Sequence, residues 1–497
     1  MKSVITVGAG VGGLCTAIRL LKQGYKVTIL EKEKEIGGKV NIKNIEGAKF
    51  DLTASILMTP KIYTEIFDEV GKDYKDYFEL IKIDPIYRVN YHNGDRYDFY
   101  SDLSKMVRTL EHMQEGLSIE YLNFTSKPLE KYIYSKKYFL DKPMTDINDV
   151  SISKSLKILS QIKPFTNVNK YVQNIISNKQ LREYLIFQSM YIGINPYTSS
   201  NLYTLIPAIS HTYGLWYIKG GFYKYIEALK KLILELGGVI ETENNVEKIL
   251  IDKDKVVGVE SNKGIYKSDI VVCNADYPYA ITNLINKGKN NKIKKIKKEE
   301  YSCSIFIMYL GLNKKYDDLQ VHNMYIGDNF KENIESPFKV KLTKSPSIYL
   351  YYPSKIDESV SSSFESILNV MVRVPNLEYE NIKWNKENIR KFRNIIISQL
   401  KNVKGLENLN KEILYESYLT PIQLKRKFNS YNGTAFGISH KLNKTTYFRP
   451  HIKDENTNGL YFIGSSTHPG NGVSVIIDGS KTLSKIIEKD ALKKTYK

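Results

Sequence analysis

Cysteine is scarce: the 497 residues hold three, Cys15, Cys273 and Cys303, widely spaced and in no CxxC pair. That pattern excludes a disulfide framework and a zinc ribbon, and it suits a reducing, cytosolic setting. The seven histidines form no HExxH, so a zincin centre is excluded as well. No apolar run reaches roughly 18 residues, so no spanning helix is expected. The mostly apolar start, Met1 to Leu21, imitates a secretory leader, but its glycines fall in a nucleotide-binding pattern and it is read as mature sequence. No internal repeat or long disordered tail is evident. Acidic residues are also short: 54 Asp and Glu against 73 Lys and Arg leave a formal charge of +19. Such an excess points to an anionic partner, although Lys, Asn, Ile and Tyr abound together as an AT-rich coding sequence would produce. The densest basic run, Asn286 to Glu300, reads as a solvated linker or helix face, with attraction to anionic lipid heads as the alternative. No nucleic-acid recognition motif accompanies it, so no nucleic-acid partner is expected. Hydrophobic content of 42% is ordinary for a globular chain of two or three domains, or of one large core.

What is present begins at residue 3. Ser3 to Val7 is a β-branched run of the kind that forms a buried parallel strand. Gly8, Gly10 and Gly13 follow in G-x-G-x-x-G spacing. Leu14, Ala17, Ile18 and Leu21 then share one helical face, and Gly24 is a natural stop. A second strand, YKVTIL, ends at Glu31, where an acid is positioned for a ribose hydroxyl pair. Gly8 allows the turn, Gly10 admits a pyrophosphate to the backbone, and Gly13 lets helix and strand pack closely. The helix N-terminus supplies free N–H groups and partial positive charge to the phosphates. Beyond Glu31, a second glycine pair, Gly37-Gly38, precedes Lys39. A plain NAD domain does not require it; a loop returning to the pyrophosphate of FAD does, with Lys39 adding charge. There is no second G-x-G-x-x-G, so no separate NADPH domain is expected.

At the other end, GLYFIGSSTHPGNGVSVIIDGS (Gly459–Ser480) runs as a strand that breaks at Gly464, a glycine-rich turn, and a helix start. Together with FQSMYIGINP (Phe187–Pro196), GLWYIKGGFY (Gly214–Tyr223), NAD (Asn274–Asp276), YSCSIFIMYLG (Tyr301–Gly311) and YFRP (Tyr447–Pro450), it makes the chain resemble the carotenoid (phytoene) desaturase family. That family is related more distantly to amine oxidases. Within it the likeness is strongest to the bacterial branch acting on thirty-carbon 4,4'-diapophytoene (dehydrosqualene). The resemblance implies an α/β fold in which a discontinuous Rossmann-like FAD-binding domain carries an inserted α+β substrate and membrane-binding domain. It also implies that the turn through Gly464 and Gly472 lies under the isoalloxazine ring, where the N–H groups around Gly472 and Val473 stabilise negative charge on reduced flavin. His468 has two readings there, a structural turn residue or a direct proton role. The sequence departs from the family at Leu52-Thr53-Ala54-Ser55, where Gly-Pro is common, and at Ser465, Asn471 and Ser474.

Because the flavin elements sit at both ends and in the middle, 1–85, 215–295 and 450–497 are assigned to the FAD-binding domain, and 86–214 and 296–449 to the substrate domain. The stretch from Gly238 to Asp276 reads as a strand meander, with Val246 as a backbone contact to adenine. Tyr184 to Tyr217 reads either as the lining of a hydrocarbon tunnel, with or without a bilayer dip, or as ordinary core. The activity implied is stepwise desaturation of 4,4'-diapophytoene to 4,4'-diaponeurosporene. A carotenoid terminal-methyl oxidase, another flavin oxidase and a non-redox isomerase are the alternatives. Asp51 is the nearest acid–base candidate, against a structural carboxylate at a strand end. Nothing in the residues chooses between oxygen and a quinone as terminal acceptor. An insoluble substrate, positive charge and no spanning helix predict peripheral attachment to the cytoplasmic membrane face.

Overall fold

The β-branched run at the start becomes β1 (Ser3–Val7), the centre of a five-stranded sheet with β2 (Lys26–Leu30), β3 (Val239–Glu241), β4 (Ile270–Cys273) and β5 (Leu460–Phe462). The order is β5-β4-β1-β2-β3, and every pairing is parallel. The computed structural model describes residues 2–144, 164–285, 290–339, 341–379 and 382–493. Helices α1 (Val11–Lys22) and α2 (Val473–Lys493) pack together and against the sheet, with Leu14, Ala17 and Ile18 of α1 in one core with Ile477, Leu483 and Ile487 of α2. α1 stops where the glycine foretold it: Gly24 has φ +84°, its N–H donates to Leu21 and that of Tyr25 to Leu20.

The Gly238–Asp276 stretch is not one meander. Its middle, Val246–Asp252, Lys255–Ser261 and Gly264–Lys267, forms the antiparallel meander. Its ends join the parallel sheet instead, as β3 and β4. Ile270–Cys273 is buried on every residue, which is the mark of a strand covered on both faces rather than of an alternating one.

A second, seven-stranded sheet forms the other half. Its order is Ile413–Leu419, Ser304–Leu312, Ser366–Val374, Ile348–Tyr351, His322–Ile326, Tyr87–Tyr91 and Arg96–Phe99. Only the contact between Tyr87–Tyr91 and His322–Ile326 is parallel. The period of two divides it cleanly. Phe306, Met308, Leu310, Leu368 and Val370 face the helix Lys386–Leu400. Ile305, Ile307, Tyr349, Tyr351, Ile367 and Met371 face the helices drawn from 103–213. Arg373 pairs with Ile305 across the sheet and therefore sits on that second face. Among the described residues, no helix is long and apolar enough to cross a membrane. Of the basic run, 286–289 lie outside the described residues; the rest includes a short helix, Asn290–Lys297, with Lys294, Lys295 and Lys297 exposed on it.

Candidate active site

The turn after β1 is built from close backbone approaches. Gly8, at φ +93°, donates its N–H to the Leu30 carbonyl. A Cβ on Gly13 would overlap the Gly8 carbonyl oxygen, so this glycine serves helix–strand packing and lies off the cavity wall. Gly10 caps α1 without a side chain, and the helix has no acid in its first turn. Its N–H end is therefore open to an anion. Glu31 is 7% exposed and already accepts the N–H groups of Ala9 (2.7 Å) and Glu33 (3.0 Å). Burial raises its pKa, while those two bonds pull it back. The 36–40 loop does return: Gly37 N–H donates to the Ala9 carbonyl, and Gly38 packs on the Gly10 Cα. Lys39 lines the cavity, but its ammonium is held by the carbonyls of Ala435 (3.0 Å) and Thr434 (3.4 Å). It ties the loop to the second half of the molecule.

The C-terminal turn is clamped from beneath. Arg449 of the YFRP stretch is 1% exposed, and its guanidinium is held by carbonyls rather than by a carboxylate. It donates to five of them: Thr467 (3.1 Å), Ser465 (2.5 Å), Ile438 (3.1 Å), Ser439 (3.2 Å) and Lys444 (3.3 Å). The NAD triplet completes the clasp. Asn274 donates to the Ile463 carbonyl (2.7 Å), and Asp276 accepts the Ser466 hydroxyl (2.6 Å) and the Tyr431 N–H (2.9 Å). Gly464, Gly470 and Gly472 take φ of +156°, +127° and +125°, and α2 then starts at Val473 with no acid in its first turn. His468 lies at the cavity edge with its Nε2–H donated to the Lys142 carbonyl (2.9 Å). Burial holds its pKa down at about 4, so the ring is neutral at physiological pH.

One cavity of about 510 Å³ joins these parts. Gly8, Gly10, Glu31, Gly37, Gly38, Lys39, Val246, Gly464, His468, Gly472 and Val473 all line it. The two open helix ends, α1 and α2, and the side-chain-free glycines between them make a cradle that fits a long anionic dinucleotide such as FAD. The remaining wall is apolar. Tyr191, Ile192, Leu205, Ile206 and Ile209 come from the Tyr184–Tyr217 stretch, and Ile305 and Met371 from the seven-stranded sheet. That stretch divides between both readings: Tyr184, Leu185 and Phe187 are buried in the core and do not line the space.

Asp51 is not in the cavity wall. Its carboxylate accepts the Phe222 N–H (2.9 Å) and the Tyr351 hydroxyl (3.0 Å), and its carbonyl accepts Asn369 (2.8 Å). Those partners make it a joint between the seven-stranded sheet and the start of the helix Tyr223–Glu235. Three further residues escape the sequence reading. Arg449 sits inside a quoted motif, but its carbonyl partners are scattered along the chain. Arg373 lines the cavity at 8% exposure, donating to the Met190 carbonyl (3.3 Å), with the rings of Phe187 and Tyr191 at 5.7 and 5.6 Å. An arginine amid the apolar alternation of ILNVMVRVP was its signal. Tyr349, one of 38 tyrosines, had none.

The model of the family described as flavin-containing amine oxidoreductase matches residues 11–478. A 4,4'-diapophytoene desaturase (4,4'-diaponeurosporene-forming) of Staphylococcus haemolyticus is 33% identical over 98% of this chain and 99% of its own. One of Staphylococcus aureus strain Newman is 32% identical over 98% of each. Among solved structures, an oxidoreductase from Methanosarcina mazei superposes with a TM-score of 0.63 at 16% identity, covering 98% of this chain and 100% of that one. A redesigned putrescine oxidase gives 0.62 at 12% identity, covering 98% and 99%. At such identities these structures establish the fold.

Proposed function

Because the chain belongs to the flavin-containing amine oxidoreductases and, within them, to the carotenoid desaturases, we propose that it desaturates 4,4'-diapophytoene stepwise to 4,4'-diaponeurosporene. The observation that carries this reading is the continuity of one cavity from two open helix N-termini to an apolar wall. Bound FAD supplies the acceptor for an allylic hydride. The chain's own residues do the holding. The Gly8–Gly13 turn and α1 receive the pyrophosphate, Glu31 the ribose, and the backbone at Val246 the adenine. The Gly464–Val473 turn, held in place by Arg449, receives the ring.

A polyisoprenoid offers no charged handle, so apolar burial in the channel binds it, at about 25 cal/mol per Å² removed from water. The wall from Tyr191 to Ile209 and the sheet face with Ile305 and Met371 exclude water and align the chain. The division into 1–85, 215–295 and 450–497 against 86–214 and 296–449 is part of this proposal; in its support, the strands of the five-stranded sheet fall in the first set and those of the seven-stranded sheet in the second. Membrane attachment belongs to the same reading. Ile119, Leu122 and Ile133 are 65%, 44% and 55% exposed on one face of the helix Leu117–Ser135, a face that also carries exposed Glu130, with exposed Lys127 at its margin. Tyr132 and Ser135 of the same helix, with Lys136 and Phe139 just beyond its end, line the cavity.

Co-expression with a dehydrosqualene synthase or, separately, with a phytoene synthase tests the substrate. Extracted pigment should absorb in the visible and have the mass of a desaturated thirty-carbon product. Colour from phytoene alone, or an aldehyde formed from diaponeurosporene without prior desaturation, would overturn the reading.

A further inference from the structure

The desaturation proposed above also needs a proton acceptor, and Asp51, the carboxylate that the sequence suggests, stands outside the cavity wall. Three side chains on one face of the seven-stranded sheet and its neighbouring loop do form a chain of hydroxyl and imidazole. Tyr349 lines the cavity, as does Ser55. The Tyr349 hydroxyl lies 3.0 Å from the Ser55 Oγ and 2.7 Å from the His322 Nδ1. His322 is fully buried behind it, stacked against the rings of Tyr349 and Tyr351 at 6.0 and 5.5 Å. Its Nε2 has no hydrogen-bond partner among the described residues, and the tilted Tyr87 ring lies 5.8 Å away, the kind of neighbour that takes an N–H on its π face. Thr53, two residues before Ser55, donates to the Lys39 carbonyl (2.6 Å). Ser55 therefore hangs from the same loop that closes over the dinucleotide cradle.

We infer that Tyr349 and His322 together take the proton that the hydrocarbon loses. The inference rests on the desaturase reading. After the allylic hydride has left to the flavin, which is the oxidant and is reduced, the neighbouring C–H bond breaks and its electron pair becomes the new C=C π bond. The proton passes to the Tyr349 oxygen, whose own hydroxyl proton moves to His322 Nδ1 and leaves an imidazolium. The return path runs back through Tyr349 and Ser55 to the cavity. Burial holds His322 near a pKa of about 3, which makes it a weak base, but the carbon acid beside an allylic cation is far stronger and needs nothing better. A neutral buried imidazole also puts no charge beside the developing cation before the step.

The test uses the full-length, flavin-loaded chain. Single-turnover bleaching by 4,4'-diapophytoene is followed anaerobically, with deuterium placed either at the hydride-losing or at the proton-losing carbon. Bleaching reports the hydride step, and the rise of conjugated-product absorbance in the same turnover reports the proton loss; Tyr349→Phe and His322→Asn should each slow the product rise by about 10²-fold. The amide of the His322→Asn variant still accepts a hydroxyl but cannot be protonated, so this variant decides the question where Tyr349→Phe fails to fold. In both variants the isotope effect on product formation at the proton-losing carbon should rise relative to that at the hydride-losing one. A purely packing role would slow both carbons alike. Separately, histidine-selective ¹⁵N spectra of the flavin-free protein should show His322 Nδ1 as an unprotonated nitrogen whose shift moves in Tyr349→Phe. An unchanged isotope ratio, an undiminished rate of product formation in His322→Asn, or a protonated Nδ1 would overturn the inference while leaving the desaturase reading standing. No bleaching in the unmutated chain would overturn both.

Discussion

Asp51 shows how a buried carboxylate can brace the surroundings of a cavity that it does not line. Burial raises its pKa from 3.8 to about 6, while the Phe222 N–H and Tyr351 hydroxyl act to lower it. The folded-state value stands above the unfolded one, so protonation favours the folded form. That contribution is complete below about pH 4 and is lost as pH rises through about 6. Asp51→Asn keeps an acceptor for Phe222 and resembles the neutral acid. Thermal or denaturant unfolding should find the variant and the parent alike near pH 4. At about pH 7.5 the variant should be the more stable, by up to about 3 kcal/mol at roughly 1.4 kcal/mol per pH unit. Equal stability of the two at both pH values would mean that the carboxylate carries no desolvation penalty. Arg449 works in the opposite sense. It is a buried charge kept in place because five otherwise scattered carbonyls converge on one planar fork.

At the level of elements, the glycine in the first turn of α1 and the one just past its end do different work. At Gly13 a Cβ meets backbone, the Gly8 carbonyl oxygen, so α1 and β1 must part to admit it. At Gly24 the φ is +84° and nothing stands within 4 Å of the site of a Cβ, so only the left-handed backbone resists. Gly24→Ala should cost about 1–2 kcal/mol and leave FAD retention unchanged. Gly13→Ala should cost about 3 kcal/mol or more and release FAD, because the helix N-terminus moves with the helix. Denaturant midpoints and flavin fluorescence of the filtrate measure both. Retention of FAD by a folded Gly13→Ala protein would break the link between this packing and the cradle. The seven-stranded sheet shows a related division: one alternating face closes a core, and the other floors the cavity.

For the whole molecule, the question is how a hydrocarbon reaches a buried wall. The exposed Ile119, Leu122 and Ile133 share a helix with the cavity residues Tyr132 and Ser135, and the chain as a whole carries +19. Flotation should show binding to vesicles that increases with anionic lipid and weakens with salt, as the screening length falls below about 10 Å above roughly 0.1 M. Ile119→Asp with Ile133→Asp should reduce binding even at low salt. Lack of association with vesicles of any composition would refute the attachment.

Much was legible along the chain because the signals were local. The spacing of Gly8, Gly10 and Gly13, the acid at the end of the next strand, the Gly37-Gly38 pair and the glycine turn from Gly464 to Gly472 each state a backbone requirement within a few residues. Such requirements survive any tertiary context, and the motifs that carried the family resemblance are of this kind. The ends of the presumed meander were misjudged because a short apolar run does not say whether one face is covered or two. That depends on what packs above it, as for Ile270–Cys273. The floor of the cavity was hidden for a deeper reason. His322, Tyr349 and Arg373 are aligned by the pairing of three successive strands, and Ser55 reaches Tyr349 from a loop 294 residues earlier; no local spacing encodes either the register or that meeting. Local spacing along the chain was enough to point to a dinucleotide cofactor. Which polar groups face the hydrocarbon was left to the fold, because that choice belongs to the pairing of strands and not to any one of them.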